Sequence, residues 1–178
     1  VTSSYLSGLP PLRNGRGRGV VTAKRFDLEV DAAEVDGGLM VSDGRLAVPD
    51  FNAAKPVMSI EFVTRGSAHS VLALLDLPPL GLPGRIGLDP KSVTGRSATA
   101  TRLTIPLLGS VTLDDVGYSA AATLTDVSLP GIWRDWDLRN GALTLKAEST
   151  GLRLTGTAEV NGIPLTLEWL RPIQRAAD

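Results

Sequence analysis

The residues able to do chemistry are few and poorly grouped. His69 is the sole histidine of 178 residues, so a Ser-His-Asp relay or a multi-histidine metal site would have to be built around it alone. A satisfied or solvated imidazole beside a helix start is the plainer reading. Asp114-Asp115 is the one adjacent acidic pair. Neighbours on a strand face opposite ways, and carboxylates in a turn act as caps, so the pair does not make a general acid and base. Gly15-Arg16-Gly17-Arg18-Gly19 has the glycines of a phosphate cradle but neither its spacing nor its strand-to-helix setting. It reads as a flexible entry segment whose arginines could touch a lipid headgroup. Trp133 and Trp136 flank Arg134-Asp135 and could share one side of a turn, either as packing at a sheet end or as an aromatic lip for a membrane or ligand. Cysteine is absent, which removes disulfides, thiolate metal sites and thiol nucleophiles and is compatible with an oxidising compartment. The expectation is a protein that is not an enzyme, with no metal and no cofactor.

The elements that would position these side chains are mostly strands. Leu143, Leu145 and Ala147 alternate with Thr144 and Lys146; Leu152, Leu154, Ala158 and Val160 fall on one face of the next run; Leu165, Leu167 and Trp169 do so in the last. Because successive strand side chains point to opposite faces, this pattern predicts a sheet that is apolar on one side and polar on the other. Trp169 is in phase with the core.

Further runs precede these. Gly8 to Arg18 reads as a connection, Val20 to Val30 as a first strand, and Leu39–Val41 and Leu46–Val48 as short strands set off by turn signals at Asp36-Gly37-Gly38 and Asp43-Gly44. Met58, Ile60 and Phe62 alternate in another strand that Gly66 ends. From Ser67 the spacing of Val71, Leu72, Leu74 and Leu75, with Ser67 or Ser70 as cap and Pro78-Pro79 as stop, predicts the only helix. An irregular crossing covers about 77–94. In the strand Gly95 to Ile105, Ala98 and Ala100 are out of phase with Leu103 and Ile105, so a bulge is expected near Thr101 or Arg102. Val116 to Leu124 alternates again, and Leu129 to Asp137, with Pro130-Gly131, interrupts as a loop or single turn. Leu138-Arg139-Asn140-Gly141 echoes Leu12-Arg13-Asn14-Gly15, a short hint of two similar parts.

Length fits one domain over 1–178. With 18 Lys+Arg against 19 Asp+Glu the net charge is -1, which leaves no basic field for nucleic acid or an anionic bilayer. No stretch reaches the ~18–20 apolar residues of a spanning helix, and the start at Val1 suggests a piece of a longer protein with any anchor outside it. About ten strands each giving several apolar residues to one face exceed the few hundred Å² that a soluble monomer usually leaves contiguous. One helix cannot cover that face. It must be closed by a sandwich or barrel, or remain a trough for an apolar ligand or for neighbouring parts of the same long protein.

Gly8-Leu9-Pro10-Pro11-Leu12, Leu74-Leu75-Asp76-Leu77-Pro78-Pro79-Leu80, Gly87-Leu88-Asp89-Pro90 with Gly95-Arg96, Ile105-Pro106-Leu107-Leu108, the stretch Ala122 to Gly131 and the stretch Gly156 to Leu165 resemble, in the same order, the central repeat region of bacterial AsmA-like proteins, the YhdP and TamB group. The resemblance spans nearly the whole chain through short motifs. It implies a periplasmic segment of a bridge anchored in the inner membrane through a part absent from this chain, whose curved β-sheet has an apolar interior for phospholipid transport to the outer membrane. It brings no catalytic residues. The expected fold is mainly β, a curved antiparallel sheet forming an open groove with one short helix. The expected partners are phospholipid acyl chains and neighbouring repeats, with no nucleic acid and with membrane contact through regions outside the chain. Alternation assigns the groove lining to Phe26, Leu28 and Val30; Met58, Ile60 and Phe62; Leu103 and Ile105; Leu124; Leu143 and Leu145; Leu152, Leu154 and Val160; and Leu165, Leu167 and Trp169. The alternative is a self-contained β-sandwich serving as a scaffold or adhesion module, its apolar face ordinary core.

Overall fold

Alternating runs with tight turns between them lead to a meander, because each strand finds its partner in the next one along the chain. The computed structural model describes residues 12–35, 37–76, 83, 88–108 and 115–172. Its strands are β1 (Leu12–Val21), β2 (Phe26–Val35), β3 (Leu39–Val48), β4 (Val57–Ser67), β5 (Thr94–Pro106), β6 (Gly117–Trp133), β7 (Trp136–Glu148), β8 (Gly151–Val160) and β9 (Ile163–Pro172). They form one curved, unclosed antiparallel sheet in sequence order. No second sheet lies among the described residues. Among the described residues one helix is seen over its full span, α1 (Ala68–Asp76), which follows β4 directly; Pro83 is also helical, and Pro90–Ser92 form one 3₁₀ turn.

The helix begins where the sequence places it. Ser67 is its N-cap: the Ser67 hydroxyl accepts from the backbone N–H of Ser70 at 3.0 Å, satisfying a donor that the first turn leaves without a partner. Most of the expected crossing after it lies outside the described residues.

Five readings of the sequence need correction. The Gly/Arg segment taken as a connection is strand β1 from Leu12 onward, and Val20 to Val30 is two strands joined by the turn Thr22–Arg25, where Thr22 N–H donates to the Arg25 carbonyl at 2.9 Å. Asp43-Gly44 is not a turn but a bulge within the continuous strand β3. Pro130-Gly131 does not end β6, which runs on to Trp133 and pairs with Trp136 in an extended hairpin. Finally, no bulge occurs at Thr101 or Arg102. The β4–β5 register is unbroken from Val57↔Pro106 to Ser67↔Arg96, and the shift comes earlier, at Gly95.

The bulges explain the curvature. Asn14, Asp43, Asp126 and Asn140 all have left-handed backbones, with φ of 52°, 54°, 54° and 52°, and each sits at a register shift. Short polar side chains tolerate this conformation best after glycine, and an extra residue in one strand bends and twists it. Each bulge residue also has a polar partner on an adjacent strand. Asn14 donates to Glu34 at 2.9 Å, Asn140 donates to Glu159 at 3.0 Å, Arg96 reaches Asp126 at 2.8 Å, and Arg65 lies 4.0 Å from Asp43. The Leu-Arg-Asn-Gly echo is thus a repeated structural device: Leu12↔Val35 and Arg13↔Glu34 match Leu138↔Val160 and Arg139↔Glu159.

At the far edge, Asn161 (φ 48°) and Gly162 (φ 79°) form the two-residue turn of the β8–β9 hairpin, a type I′ geometry that suits the strand twist. From the hydrogen-bonded pair Val160↔Ile163, donors alternate inward and outward along β9. Pro164 and Pro172 fall at outward positions and have no N–H to offer the open edge.

Candidate functional site

Directly paired residues on neighbouring strands share a face, so the registers decide which side chains line the interior. One row runs Leu28↔Leu46↔Ile60↔Leu103↔Tyr118. A second runs Thr64↔Thr99↔Ala122↔Leu145↔Leu154↔Trp169. A third runs Gly66↔Ser97↔Leu124↔Leu143↔Gly156↔Leu167. With the rows beside them, every lining residue expected from alternation falls on this one face.

The face has two unlike halves. Toward the end carrying the β2–β3 turn and the β6–β7 hairpin, it is filled by α1. Val71 and Leu74 pack against Ala33, Val35, Leu39 and Val41, while Ala68 belongs to a second cluster with Val93, Val127, Leu138, Leu143 and Ala158, against which Leu72 packs. Strands β3 and β7 would lie ~19 Å apart in a flat sheet, and a helix with its side chains is only ~10–12 Å wide. For α1 to touch both walls, the sheet must curl around it. Residues here are sealed, with Leu39 1% and Ala33 2% exposed.

The floor beneath α1 is small and hydroxylated. Thr64, Ser97 and Thr99 are buried, and Ser97 and Thr99 share a hydrogen bond of 2.9 Å. These residues were missed by the alternation argument, which looked for large apolar side chains. A tight backbone-to-helix approach selects small residues instead, and the continuous phase with Leu103 and Ile105 was the signal that could have found them.

Toward the other end nothing described covers the face. Phe26, Leu28, Met58, Ile60, Leu103 and Ile105 are all half-buried, as are Leu145 and Leu152 across the sheet, while the half-buried Val30 and Phe62 border the cluster of Ala33, Val35, Leu39 and Val41. Leu46 and Tyr118 lie in register with them and extend the patch. Of the expected lining, Leu143 is instead buried in the cluster that includes Ala68 of α1, with Leu124, Leu154 and Leu167 packed around it, and Val160 is also buried. Trp169, expected as core, is 40% exposed on the β9 rim. Trp136 is 47% exposed, so it does not pack as a sheet-end core residue. The side chain of Trp133 is outside the described residues.

The polar candidates do not converge. His69 Nδ1 lies 3.0 Å from the Pro90 carbonyl, a tie between α1 and the 3₁₀ turn. Asp115 is exposed and Asp114 lies outside the described residues. The face-on view of Arg16 and Arg18 places them on the polar side, opposite Ala32 and Glu29. No group of His, Asp or Glu suited to a metal ion occurs among the described residues, and no described helix is long and apolar enough to cross a membrane. No protein-family model, curated protein or solved structure matches this chain.

Proposed function

We propose that this chain is a non-enzymatic segment of a periplasmic bridge of the AsmA-like kind, and that the uncovered half of its sheet shields phospholipid acyl chains from water during transport to the outer membrane. The observation that carries the reading is the continuous, half-exposed apolar patch from Phe26 on β2 to Trp169 on β9, formed on one face of a single sheet layer. Each methylene removed from water onto such a surface contributes about 0.8 kcal/mol, and the patch offers no fixed charge to anchor a headgroup. Binding would therefore follow tail contact and allow sliding. The biological setting in this proposal comes from the resemblance of short motifs to the AsmA-like repeat region.

The test is binding of a fluorescent fatty acid, together with native mass spectrometry of gently purified protein for co-purified phospholipid. Leu103 and Leu145 lie in the patch and in neither sealed cluster. Leu103→Asp or Leu145→Arg should abolish probe binding while the circular dichroism of the sheet persists. In the full-length protein these changes should block lipid passage. Undiminished binding by both folded variants would remove this region from the lipid path. A scaffold or adhesion module without lipid binding predicts no native-state binding at all.

A further inference from the structure

The reading of the trough as an acyl-chain site leaves α1 unexplained, since a helix wedged between both walls obstructs the length of any groove. We propose, resting on that reading, that α1 is an exchangeable plug. It occupies the space that the far half of a long acyl chain would take, so helix docking and full insertion of such a chain exclude one another.

Three observations lead there. First, along β4 the stretch from Met58 to Phe62, where the side chains meet the cluster beside α1, measures ~13 Å at strand rise, short of the ~15 Å of one leaflet's hydrocarbon. A short chain fits with α1 in place, and a long one meets the helix. Second, the floor under α1 does not depend on the helix for polar partners. The Ser97 and Thr99 hydroxyls bond to each other, Thr64 Oγ1 donates to the Thr99 carbonyl at 3.5 Å, and no buried side-chain polar atom among the described residues lacks a partner. An alkyl chain could replace the helix over this floor with each of the three hydroxyl oxygens keeping a partner on the sheet. Third, α1 joins the sheet at Ser67–Ala68, immediately after Gly66, and is pinned across the trough by the Ser70 hydroxyl donating to the Gly37 carbonyl at 2.7 Å and by His69 at Pro90. The helix is thus tethered to the sheet at one end, and its release would break two polar ties and the apolar contacts of Ala68, Val71, Leu72 and Leu74.

The same geometry supplies a lock. A Cβ built on Gly37 would lie 3.9 Å from the Ser70 Cβ, within the range spanned by a disulfide, and the chain has no native cysteine to interfere. Gly37→Cys with Ser70→Cys, oxidised, fastens α1 in the trough; reduction of the same protein is the control for the strain of placing a side chain at Gly37, where φ is +94°. Affinities for an octanoyl and a hexadecanoyl fluorescent probe are measured in both forms. Oxidation is expected to weaken hexadecanoyl binding about tenfold, equivalent to withdrawing roughly two methylenes from contact, and to leave octanoyl binding within about twofold. Leu74→Ser, which loosens α1 without a disulfide, is expected to strengthen hexadecanoyl binding selectively and serves if the cysteine pair does not fold. Equal hexadecanoyl affinity in the locked, reduced and loosened proteins, with both probes bound, would overturn the plug alone. Failure of every form to bind either probe would overturn the acyl-chain site and the plug with it.

Discussion

The two halves of the interior face are built from the same strands yet behave as different materials. Leu39 and Leu28 lie on neighbouring, paired strands and face the same way, but Leu39 is sealed by α1 while Leu28 remains half-exposed. One half therefore holds the fold, and the other is the half proposed to meet acyl chains. On that proposal, stability and binding are separated along the strand direction, within one sheet, by the position of nine helical residues.

The contrast can be broken most sharply by paired truncations. Leu39→Ala should cost about 2–5 kcal/mol, as deep core deletions do, whereas Leu28→Ala should cost about 1 kcal/mol or less. Urea unfolding followed by circular dichroism measures both, and equal losses would erase the distinction. At the border between the halves, Gly156 has φ +147°, and an added Cβ would collide with the Ala142 carbonyl oxygen. Gly156→Ala should destabilise by about 1–3 kcal/mol through backbone strain, read in the same way. Smaller still is the cost of the bulges. Asn140→Ala loses the Glu159 hydrogen bond and places alanine in a left-handed conformation, for about 1–2 kcal/mol, and Asn14→Ala should match it because the two sites are built alike. Asn140→Gly should recover much of the loss. Least of all, Arg153→Ala should change stability by about 0–1 kcal/mol and leave probe binding intact, since the 2.6 Å Arg153–Glu168 pair is more than half exposed on the outer face.

Much of this was legible in the residues. The alternation at Leu143–Ala147, Leu152–Val160 and Leu165–Trp169 predicts three strands and their common face, and the register places them so. The helix was legible because its period changes at Ser67 and prolines follow. β1 was not, because its inward positions opposite Val30 and Leu28 are Gly17 and Gly19 and its outward ones are arginines, which leaves no apolar alternation to see. Asp43-Gly44 misled for a related reason: the left-handed backbone that makes Asp-Gly a turn signal serves equally in a bulge. The division of the face into sealed and open halves depends on where α1 lands, a long-range contact that no local pattern encodes.

The prolines of β9 carry a last consequence. A strand arriving from outside would find acceptors along that border but only Thr166, Glu168 and Leu170 able to donate in return, because Pro164 and Pro172 bracket them. The β1 border has no proline between Leu12 and Val21. Any lengthening of the sheet is thus biased to one side, which gives the molecule a direction of growth and makes its two flanks unequal hosts for a visiting chain.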